Sequence, residues 1–320
     1  MLCLNADDIL KAASCQEVVM AVEKAMIMAE KKEFYMPQRI HLDYNGNTLL
    51  LMPCFTPESM ATKLLSIFQG NREKKKMVMN GVVVLNDAET GEPIALLNGA
   101  RLTAVRTGAV GSVGVRYITD PGITTAGIIG LGVQGFHQAI FVCAVRKIQK
   151  IIACDINPEI REEFVRQFRF YYPRIEITLV ERIEDMLNQT DLIITATPSK
   201  TPVIPDNEEM ISGKKFVGIG SFKPDMREFP EALFRNLQYV FVDTDHALTE
   251  TGDLIDPLNN RWITEDQIVT AGKLVLGEAK VDRDQTCLFK SVGMALFDLV
   301  VSDYIYQKAR EEGIGKEVEV

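Results

Sequence analysis

The chain has 320 residues, 47% hydrophobic and 25% charged, with a formal net charge of −9. That length supports two domains with cores of their own, and the acidic balance argues against a nucleic-acid partner. Acids sit near the N-terminus where a secretory signal carries bases, no apolar run reaches the length of a membrane span, and the six cysteines form no C-x-x-C pair; a cytoplasmic protein with reduced thiols and no membrane partner is expected.

Residues 7–31 read as one helix, with Ser14 able to cap its main part and Val18, Val19, Val22, Ala25, Met26 and Ala29 forming an apolar stripe at helical spacing. From residue 34 to 97 the pattern changes to short strands. Residues 39–44 and 48–52 flank an Asn45-Gly46 turn, residues 60–68 carry Lys63, and residues 81–85 and 93–97 flank a loop that ends at Gly91. Strands joined by turns predict a mostly antiparallel sheet. Arg72, Lys74, Lys75 and Lys76 read as a solvated basic loop. Residues 99–117 form a helix rich in small residues, and Thr119-Asp-Pro-Gly122 marks a domain boundary. The expected division is residues 121–289 as a dinucleotide-binding domain, with residues 1–120 and 290–320 as a discontinuous second domain.

From residue 124 strand-like runs alternate with helices: residues 125–129, 151–154, 175–179, 192–196, 216–219 and 240–242 are the strands. This predicts a Rossmann-type, doubly wound parallel sheet, so the fold class is α/β with an additional α+β domain. Residues 133–147 and 158–170 are its first helices. Residues 245–252 and 264–276 look helical, residues 277–284 a polar loop. Residues 290–310 look like a long amphipathic helix that returns to the first domain.

The organising stretch is Gly130-x-Gly132-x-x-Gly135, with Val133 and Gln134 inside it, at the end of an apolar run and before a helix. The first glycine permits a tight turn, the second lets the backbone approach a pyrophosphate, and the third lets helix and strand pack closely. The helix N-terminus then offers N–H groups to phosphate. Asp155 follows at the end of the next strand, where an acid accepts hydrogen bonds from ribose hydroxyls and repels a 2′-phosphate. The cofactor expected is therefore NAD rather than NADP. The competing reading is a glycine turn in some other α/β unit with a chance aspartate.

Several side chains are ambiguous on pattern alone. Arg39 and Arg106 could be ordinary ion-pairing arginines, although a guanidinium fork matches a carboxylate. Lys63, inside an apolar strand, could alternate to solvent. Asp225, after Lys223-Pro224, could be a turn aspartate. His41, His137 and His246 have no metal-ligand spacing, so no metal is expected.

The chain resembles the ornithine cyclodeaminase/μ-crystallin family over nearly its whole length. Eight stretches carry the likeness, in order: Pro37-Gln-Arg39, Leu51-Met-Pro53, Ala61-Thr-Lys63-Leu, Gly91-Glu-Pro-Ile-Ala-Leu, Leu102-Thr-Ala-Val-Arg106-Thr-Gly-Ala, the glycine loop, Gly220-Ser-Phe-Lys-Pro-Asp225-Met-Arg-Glu and Leu288-Phe-Lys-Ser-Val-Gly293. The resemblance implies a homodimer whose first domain supplies the dimer sheet, a nicotinamide cofactor, and a small amino-acid or imino-acid substrate. It implies Lys63 and Asp225 as catalytic groups, Arg39, Arg106 and Met52 as substrate contacts, and Thr195, Thr197, Ser291, Val292 and Gly293 near the cofactor beside Gly130, Gly132, Val133, Gln134, Gly135 and Asp155.

The reaction it implies is hydride transfer at the Cα of an L-amino acid or cyclic imino acid. The side-chain pocket then decides the outcome. An ornithine-cyclising member is expected to carry an acid just before Met-Pro, to hold a distal ammonium. Here Leu49-Leu50-Leu51 precede Met52-Pro53. That favours an alanine-dehydrogenase-like or cyclic-ketimine-reducing activity over ornithine cyclodeamination. A protein that binds nucleotide and ligand with little turnover is the remaining alternative.

Overall fold

The computed structural model describes residues 1–71, 73, 74 and 76–319. Arg72 and Lys75 of the expected basic loop, and Val320, lie outside the described residues. In chain order, β1 (Leu2–Leu4) leads into α1 (Ala6–Ala12) and α2 (Cys15–Glu30), followed by β2 (Ile40–Tyr44), β3 (Asn47–Phe55), β4 (Ser59–Ile67), β5 (Met79–Asp87), β6 (Pro93–Asn98) and α3 (Gly99–Ile118). Then come β7 (Thr125–Ile129), α4 (Val133–Val145), β8 (Lys150–Cys154), α5 (Pro158–Tyr171), β9 (Glu176–Leu179), α6 (Ile183–Leu187), β10 (Leu192–Thr195), α7 (Glu208–Ile211) and β11 (Lys215–Gly218). The remainder is α8 (Glu231–Arg235), β12 (Val240–Val242), α9 (Ala247–Glu250), α10 (Gly252–Asn259), β13 (Ile268–Thr270), α11 (Ala271–Leu276), β14 (Cys287–Lys290), α12 (Ala295–Glu312) and β15 (Lys316–Glu317).

By internal contacts the chain divides into two compact units. One is Met1–Arg106 with the C-terminal stretch from Met294; the other is Thr107–Gly293. The division falls inside α3, not at the Pro121-Gly122 turn.

In the first unit the strands form a sheet of order β15-β1-β6-β5-β4-β3-β2, antiparallel except where β1 joins β6. The β2–β3 turn uses Asn45 and Gly46 at φ 49° and 73°, the left-handed pair that matches strand twist. Alternation along the strands puts Leu50, Met52 and Cys54 of β3, Ala61, Lys63 and Leu65 of β4, and Val83 and Leu85 of β5 on one buried face. Helix α12 packs against α1, α2, β3, β4 and β5, burying Leu296, Leu299 and Ile305. The single helix expected over residues 7–31 is two helices. Asn5 with Asp8 and Ser14 with Glu17 each form a capping box, and the extended Ala13 (φ −147°) separates them.

In the second unit eight strands run parallel in the order β13-β12-β14-β11-β10-β7-β8-β9. The strands β10, β11, β12 and β14 are buried at every position, as expected of strands covered on both faces. Two elements differ from the sequence reading. Within residues 264–276, Ile268-Val-Thr270 pairs with β12 as a strand before α11 begins; its β-branched side chains suit a pleat. Lys290 is not the start of a surface helix. It ends β14, a strand lodged between β11 and β12, and α12 begins five residues later, after Gly293 at φ 76°. A short apolar run such as Cys287-Leu-Phe carries no period that separates buried strand from helix.

Candidate active site

The first unit holds a buried ionic cluster. Lys63 on β4 lies opposite Met52 of β3 and Val83 of β5, so its side chain enters the apolar face under α12. It is 1% exposed. Asp298, also 1% exposed and in the first turn of α12, places Oδ2 at 2.5 Å from Lys63 Nζ and Oδ1 at 3.1 Å from Arg106 Nε. One carboxylate thus bridges two cations at a helix N-terminus, where a negative charge is favoured. Burial lowers the Lys63 pKa to about 8; Asp298 works against that shift, while Arg106 and Arg39 add to it. Arg39 is half-buried and its charge reaches the same site. Leu50, one pleat from Met52, shares the face that carries Lys63.

The second unit gathers the remaining candidates at the carboxyl ends of its strands. Gly130, after β7, has φ 85°. A Cβ on Gly135 would lie 1.8 Å from the Gly130 carbonyl oxygen, so the loop can be drawn this tightly onto α4 only without a side chain there. Gly132 caps α4 without a side-chain bond, which leaves the first-turn N–H groups to an acceptor from outside the helix. Gln134 Oε1 and Thr195 Oγ1 are buried without a partner, and Val133 is exposed at the loop. A tight glycine turn, helix amides without a cap and orphaned polar atoms fit a bound dinucleotide. Asp155 Oδ2 accepts from the Leu131 N–H at 2.8 Å and Oδ1 from the Asn157 N–H at 2.8 Å. The carboxylate stands at the end of β8 and fastens the glycine loop.

Next to it, after β10, Thr197 donates its N–H and hydroxyl to Glu228. After β14, Ser291 Oγ and the Gly293 N–H donate to Asp243 at 2.6 and 2.8 Å, and Val292 donates to the same carboxylate at 3.3 Å. Asp225, in the loop after β11, is exposed and pairs with Lys200 at 2.7 Å; that hydrogen bond holds its carboxyl below the usual range.

With this geometry in view, comparison with known proteins decides the family. The family model described as "Ornithine cyclodeaminase/mu-crystallin family" matches residues 2–313. The chain belongs to that family. It is 32% identical over 331 residues to the Delta(1)-pyrroline-2-carboxylate reductase of Bacillus cereus (strain ZK / E33L), covering 100% of both proteins. It is 25% identical over 321 residues to the alanine dehydrogenase of Archaeoglobus fulgidus, covering 99% of this chain and 98% of that protein. The solved structure of Thermococcus litoralis Delta(1)-pyrroline-2-carboxylate reductase in complex with NADH and L-proline is 32% identical, with a TM-score of 0.92 over 99% of this chain and 100% of that one.

For this member of the family, sequence reasoning missed the acids. Asp298 and Asp243 had no assigned place, and Glu228 closed a quoted motif without a role. Asp298 does leave a trace: it is an acid within the apolar run Leu296-Phe-Asp-Leu-Val-Val301. Among the candidates in the first unit, Lys63, Arg106 and Met52 lie on or beside one buried cluster; Asp225 belongs to the second unit.

Replacing Asp298 by Asn should leave two buried cations without their anion, at a cost of about 3–5 kcal/mol. The loss should be greatest below the Lys63 pKa of about 8 and smaller above it, where the amine is neutral. Thermal unfolding across pH checks this; a loss that grows as pH rises would contradict it.

Proposed function

We propose that the protein reduces a cyclic imino acid, Delta(1)-pyrroline-2-carboxylate or a close ketimine, to the corresponding L-amino acid with NADH. The observation that carries this reading is the buried Lys63–Asp298–Arg106 cluster on an apolar face shared with Leu50 and Met52. Two cations suit a carboxylate and an imine nitrogen; leucine and methionine suit a ring without a second charge. The 32% identity to two pyrroline-2-carboxylate reductases, over the full chain, supports the same substrate class.

Bound NADH supplies the hydride to the imine carbon. Arg106 and Arg39 hold the substrate carboxylate. Lys63, with a pKa of about 8, is largely an ammonium at neutral pH and gives a proton to the imine nitrogen. The C=N bond gains one hydride at carbon and one proton at nitrogen and becomes an amine. Asp298 favours the charged form of Lys63 and orients both cations. Asp225, whose carboxyl the Lys200 hydrogen bond holds below the usual carboxylate range, is the second proton-handling group of this reading. The leucines Leu49-Leu50-Leu51 before Met52-Pro53 offer no partner to a distal ammonium, which ranks ornithine cyclodeamination below imine reduction.

Further finer points belong to the same reading. The first unit, Met1–Arg106 with the stretch from Met294, is the substrate and dimerisation domain, and the second unit is the nucleotide domain. The protein is a homodimer. Edge strand β2 is exposed throughout, with Ile40, Leu42 and Tyr44 on one face, and Tyr35, Phe55, Leu64 and Phe68 are exposed nearby in the same unit. Apolar surface of this extent marks an interface. No helix among the described residues is long and apolar enough to cross a membrane, and the six cysteines are free thiols; we place the protein in the cytoplasm.

Rates of NADH oxidation with pyrroline-2-carboxylate, piperideine-2-carboxylate, or pyruvate plus ammonia test the activity; proline formed from ornithine would reverse the ranking. kcat/KM for imine reduction should fall as pH rises through about 8, because the proton donor is then lost. Lys63→Ala and Asp225→Ala should each lower kcat by roughly 10²–10⁴-fold and leave NADH affinity nearly unchanged; a flat pH profile in the parent enzyme would rule out Lys63 as donor. Asp155→Ala should weaken NADH far more than NADPH in fluorescence titrations, and equal weakening would refute the ribose role. Sedimentation should return the mass of a dimer, and Leu42→Lys should shift it toward monomer.

A further inference from the structure

The second unit holds a second ionic cluster that the mechanism above leaves unused. Lys290 at the end of β14, Glu228 and Asp253 are all wholly buried. Lys290 Nζ lies 3.0 Å from Asp253 Oδ2 and 4.0 Å from Glu228 Oε2. The Glu228 carboxylate accepts four hydrogen bonds. Oε1 takes the Thr197 N–H at 2.7 Å and its hydroxyl at 2.8 Å, and Oε2 takes the N–H groups of Gly220 and Ser221 at 2.8 and 3.1 Å. Asp253 Oδ1 in turn accepts from the backbone N–H groups of Glu228 and Phe229 at 2.7 and 3.1 Å. One side chain therefore joins the loop after β10 to the loop after β11.

The second of those loops carries Asp225, and it is braced at its far end as well. Ser221 Oγ bonds the Met226 carbonyl at 2.6 Å and lies 2.5 Å from Thr251 Oγ1. The Gly252 N–H donates to the Lys223 carbonyl at 3.2 Å. A buried ion pair commonly stabilises a fold no better than apolar side chains of equal volume. What three buried charges supply here and apolar residues do not is a fixed direction for four donors.

We propose that the Glu228–Lys290–Asp253 cluster is a positioning device that sets the Thr197 and Asp225 loops for imine reduction, with Glu228 as its central residue. This rests on the reductase reading above. Glu228 touches neither substrate nor cofactor in this scheme; it acts through the loops it holds. Glutamine at this position keeps the shape but puts an amide NH2 in place of one oxygen, so at least one of the backbone donors meets another donor.

The test uses the full-length enzyme and two variants, Glu228→Gln and the milder Ser221→Ala, which removes the hydroxyl brace and leaves every charge in place. With pyrroline-2-carboxylate and NADH, Glu228→Gln should lower kcat at least tenfold and raise the NADH Kd, because Thr197 loses its acceptor, whereas Ser221→Ala should lower kcat about three- to tenfold and change the NADH Kd less than threefold. In hydrogen–deuterium exchange, the segment 219–226 should exchange faster in each variant than in the parent. Folded variants with parental kcat and parental exchange would overturn the proposal. So would equal losses in kcat and NADH affinity in Ser221→Ala, the signature of a merely structural role. If Glu228→Gln does not fold, Ser221→Ala decides by the same criteria. A parent enzyme inactive on every imino acid would sink the reductase reading, and the exchange measurement would still decide whether the cluster holds the loop.

Discussion

A carboxylate removed from water must find donors or lose its charge, and this protein places buried carboxylates where that demand fixes polar groups around them. The governing one is Asp298. Its two oxygens each hold a different cation, Lys63 at 2.5 Å and Arg106 at 3.1 Å, in an apolar face where neither cation would be tolerated alone. Burial depresses the Lys63 pKa, and the aspartate limits that depression, so the amine titrates near pH 8 rather than in a far lower range. A buried lysine whose pKa stays near neutrality thus depends on an acid from the other end of the chain.

The second unit repeats the device around its crevice. Asp155 fastens the glycine loop to the end of β8, Asp243 gathers Ser291, Val292 and Gly293 beside β14, and Glu228 ties the ends of β10 and β11. Each acid accepts backbone N–H groups that the sheet no longer occupies once a strand has ended. In a parallel sheet those ends are where ligands bind. The loops at these strand ends are therefore held by side chains behind them, while Gln134 Oε1 and Thr195 Oγ1 stay buried without a partner.

Much of the architecture was legible in the residues. The glycine spacing, the apolar run before it and Asp155 after the next strand mark β7–α4–β8, and the Asn45-Gly46 turn marks the β2–β3 hairpin. These are local signals: positive φ, two-residue turns and period-two burial are dictated within a few neighbours. The errors were of the opposite kind. β13 lies inside an expected helix, and β14 is expected as no strand, with its last residue, Lys290, at an expected helix start, because three or four apolar residues suit either a strand slot or a helix start. Only their seats beside β11 and β12 settle the matter.

The sequence by itself determined the alternation of strand and helix, the tight phosphate-type turn, and the presence of arginine, lysine and aspartate able to handle a carboxylate and a proton. Tertiary structure alone decided which of them meet. On pattern alone Lys63 could face solvent, and only α12 laid over β4 shows what covers it; Asp298 reads as a stray acid in an apolar helix until Lys63 and Arg106 come within 2.5 and 3.1 Å of it. The physical reason is that charge pairing across 235 residues of chain leaves nothing near either residue that names its partner. A buried ion costs free energy at its own position, and the partner that offsets that cost can come from anywhere the fold delivers it.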